Sequence, residues 1–228
     1  MTFTVSLKRK AFLGGFLYLL LEMFALPVIL STLNAALPQP LNTAMLNVVF
    51  FAINFMAVTA IMRHFLLENL AVGWKHIGKC LLFFLVGVVA YFAVNFGLAA
   101  LIKLFFPNFS NINDNSVANM LGTDFWLMAI GTVVLVPVTE ELLFRGVLFR
   151  GFYDRSSALA WVISVVCFAL IHVLGFVGSA DALTLFLCFV QYLPAGLILC
   201  WCYCKTDSIL TPILIHMAVN LIGILILR

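Results

Sequence analysis

Long apolar runs separated by short polar connections divide the chain. Runs of about 20 mostly apolar residues, enough to cross a bilayer as a helix, fall near 11–33, 42–62, 77–106, 125–149, 158–177, 182–203 and 208–227. The pattern predicts an all-α, polytopic transmembrane helical bundle of about seven spans. The third run exceeds what an upright helix needs, so it is expected to tilt or to end in an interfacial turn. Pro137 interrupts the fourth. Proline removes a backbone donor and can kink a helix, but the run is read as one span.

The connections alternate in charge. Lys8, Arg9 and Lys10 precede the first run, and Arg63, Lys75 and Lys79 separate the second from the third. Arg145, Arg150 and Arg155 close the fourth, and Lys205 ends the sixth. The intervening "STLNAALPQPLN", "PNFSNINDNS" and the turn holding Asp181 contain no Lys or Arg. Basic connections stay in the cytoplasm, so the N-terminus is expected there, with Arg150 at the cytoplasmic surface and His64 and His76 solvated in a cytoplasmic loop. The first run is longer than the apolar core of a signal peptide. It is therefore read as a retained span. No internal repeat or second domain is apparent.

Composition narrows the class. The 228 residues are 65% hydrophobic and 9% charged, whereas a soluble domain is roughly half apolar and about one quarter charged. An integral membrane protein is the only reading that covers so much apolar surface with so few charges. The net charge of +3 is scattered along the chain, which leaves no basic face for nucleic acid. Six cysteines lack the paired spacing of a zinc site or a disulfide framework. They read as free buried thiols, with a weak acylation pattern at Cys200 and Cys204.

Against this background the ionisable residues inside the runs stand out, because charges at membrane depth are costly and mark function. They are Glu22, Glu140, Glu141, Arg145, His172 and His216, and Asn220 lies four residues after His216. Glu141 and Arg145 have the i, i+4 order that favours an ion pair on one helix. Glu140 lies about 100° around that helix and needs partners from elsewhere. Phe168 and His172 share a face of the fifth span, and His216 and Asn220 share a face of the seventh. Counting about 1.5 Å per residue, Glu140, His172, His216 and Asn220 fall at one depth on three helices. Glu22, alone in the first span, reads as structural or as snorkelling to the interface.

A carboxylate, two imidazoles and an amide at one depth suit addition of water to a carbonyl. Glu140 can take a proton from water as general base, His172 can hold that water, and His216 and Asn220 can donate to an oxyanion. No Ser or Cys has a matching arrangement, so direct attack by water is preferred to an acyl-enzyme. Glu140, His172 and His216 are also candidate ligands for a divalent metal such as zinc, and spacing does not separate the two mechanisms. A di-histidine haem site and a proton-coupled transporter fit these residues less well, given the carboxylates and the lack of repeat symmetry.

Three stretches carry a family resemblance. "EELLFRG" has the form Glu-Glu-x-x-x-Arg, "FALIH" the form Phe-x-x-x-His, and "HMAVN" the form His-x-x-x-Asn, in that order and each on a predicted span. Together they resemble the CPBP family of intramembrane proteases, which includes CAAX-type prenyl endopeptidases and bacteriocin-processing or self-immunity (Abi-like) proteins. The resemblance covers residues 124–228 as a catalytic core, with 1–123 as N-terminal transmembrane helices. It implies an endopeptidase with Glu140 and His172 activating water, and His216 and Asn220 stabilising the oxyanion. Glu141, Arg145 and Phe168 would support them. It also implies a small hydrophobic peptide or a lipidated protein as substrate, surrounded by membrane lipids. The expected setting is a bacterial plasma membrane with the active site facing the cytosol. The alternative is a non-catalytic scaffold or immunity protein that regulates a sensor kinase or sequesters a peptide.

Overall fold

The structure, a computed structural model, describes residues 2–227. In chain order the helices are α1 (Arg9–Ala35), α2 (Thr43–Ile61), α3 (Arg63–Lys75), α4 (Ile77–Phe105), α5 (Ile112–Thr123), α6 (Phe125–Tyr153), α7 (Ser157–Leu174), α8 (Ala182–Thr206) and α9 (Leu210–Leu227). No strand occurs among the described residues. The protein is an all-α, polytopic membrane bundle. Among the described residues, six helices (α1, α2, α4, α6, α7 and α8) are long and apolar enough to cross a membrane. The seventh expected run is the apolar helix α9, whose stretch Leu210–Ile226 falls just short of that length.

Two connections read as loops are helices. Residues 63–75 form α3, buried along Phe65, Asn69 and Gly73. The Asn69 side chain accepts from the Ile209 N–H at 3.2 Å, and the Ser208 hydroxyl donates to the Asn69 carbonyl at 2.7 Å. These bonds tie α3 to the start of α9. The polar stretch after α4 forms α5, capped by Asn111, which accepts from the N–H groups of Asn113 and Asp114. Both helices are short and weakly apolar, so a search for membrane-length runs passes over them.

Two prolines shape the spans. The N–H of Leu26, just before Pro27, reaches back five residues to the Leu21 carbonyl. Val136, just before Pro137, bonds the Gly131 carbonyl in the same way. A proline ring clashes with the carbonyl four residues earlier, and a widened π-turn is one way a helix accommodates that clash without breaking. α6 therefore runs through Pro137 as one span, and its second half, Leu142–Arg150, is also π-helical.

That second half is the centre of the molecule. All nine residues of Leu142–Arg150 are buried, enclosed by α1 and α2 on one side and α7 and α8 on the other. Gly15 of α1 allows the close approach, because a Cβ there would collide with Val147. Arg150 is also inside. It is 5% exposed, donates from Nε to the Val5 carbonyl at 3.0 Å, and pairs with Asp154 at 2.7 Å. Arg150 thus holds the N-terminal segment, whose Phe3 ring also packs on Tyr203.

Candidate active site

Glu140 and Glu141 are neighbours with opposite surroundings. Glu141 is fully buried, and its Oε1 accepts from Arg145 Nη1 at 3.0 Å and from His216 Nδ1 at 2.9 Å. Arg145 is itself fully buried, donates from Nη2 to the Gly196 carbonyl at 3.3 Å, and lies 4.3 Å above the Phe168 ring. The expected intrahelical pair is present, with a third member contributed by α9. Glu140 turns away from this cluster, and its buried Oε2 has no hydrogen-bond partner among the described residues.

The two imidazoles are held by their Nδ1 atoms. His172 Nδ1 lies 2.7 Å from the Phe168 carbonyl, which can only accept, so Nδ1 carries the proton. The His172 ring stacks on Tyr192 with centroids 4.0 Å apart. The Tyr192 hydroxyl in turn accepts from Asn113 at 2.9 Å and donates to Asp114 at 3.2 Å. His216 donates from Nδ1 to Glu141, because a carboxylate paired with arginine only accepts. Its Nε2 lies 4.0 Å from Glu140 Oε2. That is too long for a direct hydrogen bond, and suits a bridging water. Asn220 donates one Nδ2 hydrogen to the Thr132 carbonyl at 2.8 Å and keeps its second.

These groups meet at a cavity of about 830 Å³ whose wall includes Glu140, His172, His216 and Asn220. A smaller void of about 40 Å³ adjoins both imidazoles, Phe168 and Asn220, room for roughly one water. Phe168 packs against His172 at 4.8 Å and His216 at 5.8 Å, so one ring spaces both histidines and the arginine. The donor set does not fit a zinc ion as arranged: no three His, Cys, Asp or Glu side chains among the described residues are grouped to hold one.

Three residues of the site escaped the sequence reading. Tyr192 and Asp114 look unremarkable in their runs, and only the fold brings them to His172. Glu22, expected to be structural or to snorkel to the interface, is 4% exposed and lines the main cavity, so it does not snorkel. Its sequence signal was a carboxylate five residues before a proline inside a span.

A polytopic α-helical membrane protein with a buried carboxylate–imidazole site is the class these features define. Residues 122–222 match the family described as type II CAAX prenyl endopeptidase Rce1-like. The chain thus resembles that family through its C-terminal part. It is similar to UPF0177 protein YbdJ of Lactococcus lactis subsp. lactis (strain IL1403), 34% identical over 44% of this chain and 39% of that protein. The first relatives are thus matched over less than half their own length, 39% and 44%. UPF0177 protein YbdI of the same strain is 27% identical over 76% of this chain and 88% of that protein. The protein named "Putative membrane peptidase YdiL" of Bacillus subtilis (strain 168) is 28% identical over 80% of this chain and 73% of its own length. No solved structure matches the chain.

Proposed function

We propose that the protein is an intramembrane endopeptidase that hydrolyses a small hydrophobic, membrane-associated peptide with water activated by Glu140. The observation that carries this reading is the unpaired Glu140 carboxylate facing the cavity, 4.0 Å from His216 Nε2. A water between Glu140 and the imidazoles gives its proton to Glu140 as its oxygen adds to the peptide carbonyl carbon. His172, its Nδ1–H fixed by Phe168, presents Nε2 as an acceptor that orients this water. The oxyanion receives hydrogen bonds from the free N–H of Asn220 and from His216 Nε2 in its protonated form, whose charge Glu141 offsets through Nδ1. Glu140 then returns the proton to the amide nitrogen as the C–N bond breaks, releasing an amine and a carboxylic acid.

Arg145 holds Glu141 in place, and Phe168 sets the spacing of the rings. The apolar wall of the cavity favours hydrophobic substrates, and the cytosolic opening expected from the charge pattern would admit them from that side. Purified protein in lipid nanodiscs, incubated with membrane peptides from cells lacking the gene, is expected to yield new peptide ends. Glu140→Gln protein is expected to yield none. Equal products from both proteins would remove the proposal.

A further inference from the structure

The main cavity has an unusual charge balance. Three carboxylates, Glu22, Asp114 and Glu140, line it, and no Lys or Arg is among the described residues that do. Glu140 has a part in the proposed chemistry, and Asp114 is held by Tyr192. Glu22 has neither a role nor a partner: its buried Oε2 meets no hydrogen-bond donor among the described residues. A carboxylate taken out of water without a partner is costly. The cost falls when a cation occupies the space beside it.

The surroundings say what kind of cation. Aromatic and aliphatic side chains, including Phe24, Phe50, Phe92 and Phe96, make up much of the same wall. Its volume of about 830 Å³ lies within the usual range for a pocket that encloses an organic ligand. Asn54, also on this wall, has its Oδ1 fixed by the Tyr18 hydroxyl at 2.7 Å, while its Nδ2 is buried without a partner. One unpaired acceptor and one unpaired amide donor, set in an apolar wall, complement an ammonium group and a backbone carbonyl. That combination belongs to an apolar peptide carrying a basic side chain.

We propose that Glu22 is a specificity-determining residue of this cavity, pairing with a lysine or arginine side chain of an otherwise apolar peptide substrate. The assignment rests on the protease reading for the word substrate, but its geometry concerns binding alone. Glu22 lies in α1, outside the matched region 122–222. The preference therefore belongs to the part of the chain that builds the wall, separate from the part that cuts.

The test uses the full chain in nanodiscs of zwitterionic lipid, so that anionic headgroups do not attract lysine. The probes are fluorescent leucine-alanine peptides of equal length carrying one central lysine, norleucine or glutamate. Binding is measured on Glu140→Gln protein, which removes turnover. The lysine peptide is expected to bind about 30-fold more tightly than the norleucine peptide, as for a buried charge pair. Adding Glu22→Gln is expected to bring that ratio to about one. Equal binding of the two peptides to protein that retains Glu22, a comparison needing no variant at that position, overturns the proposal. So does a lysine preference that survives Glu22→Gln. Cleavage by protein with Glu140 intact is followed in parallel. A lysine preference without cleavage supports the cation site and overturns the protease reading; cleavage without the preference does the reverse.

Discussion

Along α6, Glu141 and Arg145 pair with each other and Arg150 pairs with Asp154, although Glu141 Oε2 and Arg145 Nε stay unpartnered, whereas at the cavity Glu22 and Glu140 have buried Oε2 atoms and no hydrogen-bonded residue to hold them among the described residues. The two regions lie side by side, and both are removed from water. The first spends its polar groups on one another and thereby fixes geometry: Arg145 orients Glu141, and Glu141 orients His216. The second leaves polar groups for something that is not part of the chain. Burial thus has two forms in this bundle: Glu141 is tied to Arg145 and His216, while Glu22 and Glu140 stand on the cavity wall without a hydrogen bond among the described residues.

The contrast predicts different consequences for neighbouring substitutions. Glu140→Gln is expected to lower peptide cleavage by about 10²–10⁴-fold, the usual contribution of a general base. It should leave thermal unfolding near that of the native protein, because the carboxylate has no internal partner to lose. Initial rates and unfolding midpoints in the same detergent check both halves of that statement. Arg145→Met should do the opposite in stability. It strands Glu141 in the core, at a cost of about 3–5 kcal/mol, readable as a large fall in unfolding midpoint. If Glu140→Gln unfolds the protein while Arg145→Met is tolerated, the division between the regions is wrong.

Smaller effects sharpen it. Tyr192→Leu removes the ring stacked on His172, a contact worth about 0.5–1.5 kcal/mol. A fall in kcat of about threefold to tenfold, with substrate binding changed less, is the expected result. The smallest effect concerns Asp181, the cap of α8, which accepts from the Thr184 N–H at 3.0 Å and from its hydroxyl at 2.6 Å. These hydrogen bonds hold its carboxyl below the usual carboxylate range. A depressed folded-state value means that the stabilisation is present above the ordinary value of about 4 and is lost as pH falls through the shifted one. Hydrogen exchange at the first turn of α8 should rise in that acid window, and Asp181→Asn should flatten the pH dependence.

How much of this was readable beforehand depended on the range of the interaction. The Glu141–Arg145 pair follows from spacing on one helix, and the common depth of Glu140, His172, His216 and Asn220 follows from helical rise. All four do line one cavity. The hydrogen bond from His216 to Glu141 joins residues 75 apart in sequence. No local periodicity specifies it, and it changes the reading of His216, whose Nδ1 is committed to a carboxylate. The place of Glu22 on the cavity wall was not legible, because it lies inside the π-turn Leu21–Ala25. A turn one residue wider rotates the following face by about 100°, so counting in steps of an ordinary helix loses its direction. Tyr192 acts through α5, a short polar helix with no membrane-length signal. Arg150 fits the charge pattern of a membrane edge, yet the chain folds its own N-terminal segment over it.

The central claim, that the unpaired Glu140 makes this bundle a protease, is tested most directly in cells. Peptide termini would be compared between cells making the native protein and cells making Glu140→Ala at equal abundance. The account predicts discrete peptides whose ends change with that single substitution. Identical termini, with a phenotype that appears only when the whole gene is removed, would contradict it and leave a membrane scaffold in its place.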